Sequence, residues 1–422
     1  MLNILKQQNG EVIYPFSEID TIMHIGEKAG FDLIGLWGRG VGGHDRFYPN
    51  YMPDPLLGGA GMAGKAVKRA KENNFKVVTY INGKIIDVST DYYSYSGMDA
   101  IMLDQRGKPY IEVWKKYENI SPVVFAACCP GSAEWQRKIF ELAKDSYMLG
   151  ADVFYVDQVS QVDPNIVQCY AKHHRHSHPA EAYSKGRIEL MRNLRNYMTG
   201  LDEKFQVIIT EGINDTMLPY VNMFQGVLYS IHEPSAFPEL FKFTFPEVLG
   251  IVSNSNPILD RYEANYNVVY GLKNEIMTRY SGDRKFLLGG AVTEHDYENV
   301  TGPPDINKLK QIDRDQTQKY VKEAFEFVKT HKQYLNHGRF IDDEGIQVKQ
   351  PAKDIVIKGY KHNMDNSVAV IVWNKGDEKV AIPEITVRGY RIKASFKPGD
   401  IPDTENDYLS PNAIRMLVFD PY

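Results

Sequence analysis

Two acidic residues in this chain stand directly after apolar runs. Asp157 closes the stretch Val153-Phe154-Tyr155-Val156-Asp157, and Glu211 closes Val207-Ile208-Ile209-Thr210-Glu211. A carboxylate buried without a partner is costly, so an acid at the end of a buried strand implies a role or a partner. Two such acids on neighbouring strands could face one cleft. Glycoside hydrolysis uses this arrangement, with one carboxyl attacking the anomeric carbon and the other protonating the leaving oxygen. The competing reading for each acid is an ion pair or a strand-end hydrogen bond. Glu233, Glu294 and Asp260 also follow apolar stretches and compete with Glu211 as the second carboxyl.

A second feature is the glycine-rich run from Trp37 through Gly43-His44-Asp45 to Tyr48 and Pro49. Its glycines permit unusual backbone angles and close ligand approach. Trp37, His44 and Asp45 could offer a stacking platform and hydroxyl-binding groups. A phosphate loop is disfavoured, because there is no GK[ST] and no helix opens at its end. Tyr80 and Asn82, in Tyr80-Ile81-Asn82, could reach the same pocket, as could Gln158. The run His173-His174-Arg175-His176-Ser177-His178 admits three readings: a metal site, hydroxyl binding by His176 or His178 beside Asp157, or a solvated loop. There is no HExxH and no nearby carboxylate motif, so no metal and no cofactor is expected.

What must position these residues is an alternation of β-rich runs and amphipathic stretches over about 340 residues. Strands are expected at 2–5, 32–37, 76–81, 151–156, 206–210, 226–231, 248–252 and 286–292. Helices are expected at 17–29 (Ser17 as N-cap, Gly30 after the end), 62–73, 133–149, 185–198, 262–280 and 316–331. Eight strands with intervening helices fit a (β/α)8 TIM barrel, whose chemistry sits where strands end. An open doubly wound sheet competes, but no GxGxxG follows the first strand. After residue 340 the helical period disappears. Strand-like runs at 354–360, 367–373, 379–382 and 415–419 predict a C-terminal antiparallel β-sandwich domain over 341–422. It is read as a structural cap rather than a carbohydrate-binding module, since little but Trp373 advertises a binding face.

The combination of GGHDRFYPNYMPDPLLGG, YIN, FYVDQV and HSHP resembles a bacterial family assigned as glycoside hydrolases. That family is similar to the barrels of endo-α-N-acetylgalactosaminidases and, more distantly, α-galactosidases. The resemblance covers residues 1–340. It implies a retaining mechanism on α-glycosides, with Asp157 as nucleophile, an acid/base carboxyl from a later strand matched to Glu211, and substrate contacts from His44 and Asp45. Such proteins often carry a β-domain before the barrel. None precedes the first strand here, so parts of the cleft are expected to be missing or replaced. Two other readings stay open: a non-hydrolytic carbohydrate-binding barrel, and a metal-dependent hydrolase using residues 173–178.

Bulk properties exclude several classes. The 422 residues carry a net charge of −5 and no basic block, which is no footprint for nucleic acid. Twenty-seven tyrosines suit both a sugar cleft and a large core. Three cysteines, Cys128, Cys129 and Cys169, are odd in number and show no CxxC, so a reducing compartment and no disulfide framework are expected. No apolar run is long enough to span a membrane and the N-terminus shows no leader, which predicts a cytoplasmic chain or a fragment of an exported one.

Overall fold

The structure is a computed structural model. It describes residues 1–422 except 162, 164, 167, 227–235, 253, 255 and 400–406. Eight parallel strands form one curled sheet: β1 (Leu2–Ile4), β2 (Leu33–Trp37), β3 (Lys76–Asn82), β4 (Val153–Asp157), β5 (Val207–Glu211), β6 (Met223–Gly226), β7 (Leu249–Val252) and β8 (Met277–Thr278). Neighbours in the sheet follow chain order from β1 to β7, and β8 returns beside β1. The segment before β8 closes the ring. Lys273 donates its N–H to the Gly250 carbonyl and accepts from Val252, while Leu2 donates to the Ile276 carbonyl. The result is a TIM-barrel-like ring with helices outside.

The helices follow from amphipathic patterning. Ala133–Leu149 starts at Ser132, whose hydroxyl accepts from the Trp135 N–H, and stops at Gly150 in the left-handed region. Its buried face is the expected one: Trp135, Ile139, Leu142, Ala143 and Ser146. Trp135 is fully buried and its indole N–H donates to the Gly83 carbonyl at 2.9 Å. That contact pins the turn after β3, next to Asn82. Truncation of such a side chain costs about 3–5 kcal/mol.

Three expectations about elements need correction. Ser17 is not an N-cap: it sits inside the 3-10 turn Phe16–Glu18, and the α-helix begins at Ile19 with no side-chain cap. The long helix expected over 262–280 ends early. Arg261–Val269 is helical, a loop follows, and Met277–Thr278 is the eighth strand. Residues 286–292 are therefore not strand eight, since Ser281–Leu287 is a helix. A period of apolar residues long enough for one helix concealed a short helix and a two-residue strand. The sixth strand, expected over 226–231, is described over Met223–Gly226. The rest of that stretch, with Glu233, lies outside the described residues.

Between β3 and the helix Ala133–Leu149 the chain makes a long excursion. It contains the helix Asp91–Ala100 and a three-stranded antiparallel sheet of Ile85–Asp87, Ile111–Trp114 and Val123–Ala127. After Leu335 the chain turns to antiparallel sheets. A five-stranded one runs in the order Arg339–Asp342, Ile355–Lys361, Val368–Asn374, Ala413–Pro421, Tyr390–Phe396. Its central strand, VAVIVWN, is buried at every residue, which explains a continuous apolar run without alternation. One face packs on barrel helices: Trp373 meets Tyr262 with ring centroids 4.8 Å apart, and the Tyr360 hydroxyl donates to the Val269 carbonyl at 2.8 Å. The other face is covered by the ribbon Ile346–Lys349 and Glu384–Val387. Trp373, the residue that hinted at a binding face, is only 1% exposed.

Candidate active site

Strand register builds the site. Asn82 pairs with Asp157, the next pair after Val156 and Thr210 sets Asp157 beside Glu211, and Glu211 pairs with Gln225. Paired residues of a sheet point to the same side. One polar row, Asn82-Asp157-Glu211-Gln225, therefore rings the inside of the barrel at the carboxyl ends of β3 to β6. One pleat below lies an apolar row that starts with Tyr80 and Tyr155. Trp37 joins those two rings, with centroids 5.2 Å from Tyr80 and 5.0 Å from Tyr155. Gly35 makes room for the indole, since a Cβ there would lie 2.0 Å from a Trp37 ring carbon. The aromatic rings form the floor of a cavity of about 600 Å³ lined by Trp37, His44, Asp45, Tyr80, Asp157 and Glu211, among others.

The glycine-rich loop enters from β2. Gly43 has a φ of +85°, and a Cβ on it would lie 2.3 Å from the Gln7 carbonyl, so only glycine lets the loop press onto residues 6–8. That packing delivers His44 and Asp45 to the cavity wall. Gln8 donates its side-chain amide to the Asp45 carbonyl at 2.9 Å. Asp45 and Gln158 both hold left-handed backbone, with φ of 60° and 61°, which is strain stored in two residues that line the cavity.

Asp157 is oriented by donors. The Tyr80 hydroxyl donates to its Oδ2 at 2.8 Å, and the Asn82 amide donates to the same atom at 3.2 Å and to Gln158 Oε1 at 3.1 Å. Burial and the charge of Glu211 push the Asp157 carboxyl well above its usual range, against the Tyr80 hydrogen bond. Burial also raises Glu211, whose carboxyl is a hydrogen-bond neighbour of Asp157. Two buried carboxyls this close hold one proton between them, and they titrate as a pair. Asp45 behaves differently. Burial would raise it, but His44, Lys116 and Arg279 outweigh burial and keep it below the usual range. Lys116 Nζ lies 3.4 Å from Asp45 Oδ2. Burial drives His44 down to about 4, so its imidazole is neutral near pH 7. The site thus offers a proton-sharing acid pair, an ionised aspartate, a neutral imidazole and an aromatic floor. It can position hydroxyls and move protons.

A family model described as Domain of unknown function (DUF6259) matches residues 17–240, more than half of the chain. The chain belongs to that DUF6259 family. No curated protein matches it. Solved structures match along the whole length at low identity, which speaks for a shared fold. A noncanonic maltogenic α-amylase, AmyB, from Thermotoga neapolitana has a TM-score of 0.58 at 13% identity, covering 100% of this chain and 98% of its own. Trehalose-6-phosphate hydrolase (TreA) from Bacillus licheniformis has a TM-score of 0.59 at 9% identity, covering 96% and 94%. An α-glucosyl transfer enzyme, XgtA, has a TM-score of 0.62 at 12% identity, covering 99% and 97%.

In this DUF6259 chain not all candidate residues converge. Trp37, His44, Asp45, Tyr80, Asp157, Gln158 and Glu211 line one cavity, with Asn82 buried behind Asp157. His178 does not join them: it caps the turn Pro179–Glu181, accepting from the Ala180 N–H at 3.3 Å. His176 lies in a separate cluster with Cys129, Cys169 and His174. Glu294 is on an exposed 3-10 turn, paired with Lys310 at 2.7 Å. Asp260 caps the helix Arg261–Val269 and pairs with Lys308. Glu233 lies outside the described residues. A larger groove of about 770 Å³, between the helices Gly59–Glu72 and Ala133–Leu149, holds neither Asp157 nor Glu211.

Several cavity residues escaped the reading of the sequence. Gln225 is the next-to-last described residue of β6 in Met223-Phe224-Gln225-Gly226, a polar residue near a strand end of the kind that exposed Asp157. Its amide donates to both oxygens of Glu275 at 2.7 Å, and it accepts from the Tyr155 hydroxyl. Arg279, directly after β8, was hidden by the misplaced eighth strand. Trp114, Lys115 and Lys116 come from the excursion after β3, where no strand-end rule applies. Among the described residues, no helix is long and apolar enough to cross a membrane.

Proposed function

We propose that this chain is a retaining glycoside hydrolase acting on α-glycosides, with Asp157 as nucleophile and Glu211 as acid/base. The observation that carries the reading is the contact between these two carboxyls above an aromatic floor, at the strand ends of a TIM-barrel-like ring. Tyr80 and Asn82 give Asp157 two donors on one oxygen, which favours its ionised form and leaves the other oxygen to face the anomeric carbon. In the empty site the hydrogen bond between the carboxyls raises Asp157 and lowers Glu211, so the proton must pass to Glu211 as substrate binds before it can serve the leaving oxygen. Retaining pairs stand about 5–5.5 Å apart, whereas inverting pairs stand about 6.5–9.5 Å apart to admit a water. Asp157 and Glu211 stand side by side at the ends of adjacent strands, which lie about 4.7–4.9 Å apart, and that spacing supports the retaining geometry. Trp37, Tyr80 and Tyr155 offer an apolar surface to a sugar face, and His44, Asp45 and Gln158 offer hydroxyl partners. The structural neighbours named for α-amylase, trehalose-6-phosphate hydrolase and α-glucosyl transfer lend the α-glycoside assignment support at the level of fold.

A panel of aryl α- and β-glycosides tests this reading. Hydrolysis of an α-glycoside is expected, and an activated fluoroglycoside should leave a covalent sugar on the peptide carrying Asp157. Binding of sugars without turnover of any member, or an adduct elsewhere, would remove the assignment.

A further inference from the structure

Outside the cavity, the long loop after β4 folds back on the excursion after β3. Cys129 follows the strand Val123–Ala127, while Cys169, His174 and His176 belong to the loop. One ligand atom from each of these four residues lies within 4.8 Å of the other three. Both cysteines are fully buried and His174 is 8% exposed. Cys169 Sγ is 3.4 Å from His174 Nδ1. The other ring nitrogen, Nε2, lies 3.1 Å from the Asp99 carbonyl. A carbonyl only accepts, so Nε2 carries the proton and the Nδ1 lone pair points at the cysteines. This is the support that metal-bound histidines receive. His176 Nε2 is buried and has no hydrogen-bond partner. An imidazole nitrogen left so is unfavourable unless something absent from the chain satisfies it. Gly131 keeps the space beside it open, since a Cβ there would lie 3.2 Å from the His176 ring and 3.7 Å from Cys129 Sγ.

We propose that Cys129, Cys169, His174 and His176 form a structural zinc site that ties the loop after β4 to the excursion after β3. Two thiolates and two imidazoles in one focus are the donor set of a closed tetrahedral zinc centre, with no position left for water or substrate. Zinc bonds of about 2.3 Å to sulfur and about 2.0–2.1 Å to nitrogen set ligand atoms about 3.4–3.8 Å apart, so the cluster needs to tighten by about 1 Å at its widest. None of the four lines the cavity that holds Asp157, which makes the site a clamp and not a catalytic metal. The clamp has a purpose in the fold. The loop it holds starts at Gln158, in the cavity wall. Its other anchors are the Arg187 guanidinium on the carbonyls of Val159, Ser160 and Gln161, and the Tyr183 hydroxyl on Gln161. The sequence reading missed the site because it looked for ligands inside the histidine run. Two of the four are cysteines, and one of those arrives from another excursion.

The test is metal content of the full chain, produced without a histidine tag in zinc-supplemented medium and dialysed against metal-free buffer. About one zinc per chain is expected by mass spectrometry of the metal. Cobalt exchanged into the protein should show tetrahedral ligand-field bands and a thiolate charge-transfer band. Cys169→Ser and His176→Ala should each lose the metal at least ten-fold. His178→Ala, in the same run but outside the cluster, should keep it with an unchanged circular dichroism spectrum. Should Cys169→Ser fail to fold, His176→Ala and the cobalt spectrum of the unsubstituted chain still decide. Zinc at trace level with three titratable thiols in denaturant would overturn the proposal. So would one titratable thiol, which would mean that Cys129 and Cys169 form a disulfide instead.

Discussion

Asp157 and Glu275 are both buried acids inside the same barrel, yet their surroundings differ in the way that matters. Asp157 faces the upper cavity, with a second carboxyl beside it. Glu275 lines a second cavity of about 200 Å³ among Met1, Leu2, Tyr155 and Met223, where Gln225 donates to both of its oxygens. Burial pushes Glu275 up to about 7, and the amino group of Met1 and the Gln225 amide pull against it. A raised carboxyl alone therefore marks burial. What sets Asp157, the acid proposed to react, apart from Glu275 is an open path and a second carboxyl that can exchange its proton.

The largest effect expected from this contrast is on turnover. Asp157→Asn should lower kcat on an aryl α-glycoside by on the order of 10⁴-fold, while Glu275→Gln stays within about ten-fold of the unsubstituted enzyme. Equal losses in the two variants would erase the distinction. Glu211→Gln is expected to cost about 10²–10⁴-fold on substrates with poor leaving groups, and much less where the aryl group leaves without a proton. A loss independent of leaving group would deny Glu211 the acid role.

Smaller effects sharpen the comparison. Tyr80→Phe removes a donor that favours ionised Asp157, so ionisation becomes harder. The acidic limb of kcat/KM should move to higher pH, with a rate loss of about 10–100-fold, near the lower end of what a positioned proton-handling group contributes. An unmoved limb would detach Tyr80 from the ionisation of Asp157. For Glu275 the readout is stability. Between its ordinary value of 4.5 and its folded value of about 7, the folded chain keeps a proton that the unfolded chain has released. Its stabilising contribution is complete below 4.5 and fades as pH rises through 7. Glu275→Gln cannot lose that proton, so its Tm relative to the unsubstituted chain should rise between pH 5 and pH 8. A displacement of this size corresponds to about 3 kcal/mol. A flat difference across that range would show that Glu275 does not change its proton affinity on folding.

How far the sequence could be read depended on where a residue sits. β2 to β5 were legible because each is an apolar-rich run of five or more residues that follows an amphipathic helix, and the polar ends of β3 to β5 stand out against it. That made Asp157, Glu211, Tyr80 and Asn82 visible before any coordinates. β8 was not legible: two residues, Met277–Thr278, carry no periodicity. Closure there rests on main-chain hydrogen bonds from residues 273 and 276, which any sequence could make. The second half of the cavity wall was lost with it, including Arg279. His176 and Glu294 were legible as residues but not as places, because pairing and capping partners far along the chain decide which way a loop side chain turns.

The excursion after β3 and the loop after the helix Ser281–Leu287 are sewn to each other. Glu118 donates to the Asn299 carbonyl, Thr301 donates to Lys116, and Tyr117 bridges Val300. Trp114, Lys116, Thr301 and Gly302 thus reach the cavity as one rim assembled from chain segments some 180 residues apart. Such a rim is a replaceable part. The acids and their donors hang from barrel strands, whereas the aromatic and basic side chains of the rim hang from the sewn segments. On the function proposed above, the acid pair could stay constant while the rim sets the preference, and grafting residues 85–127 together with 297–302 would be the way to carry a preference from one related chain to another.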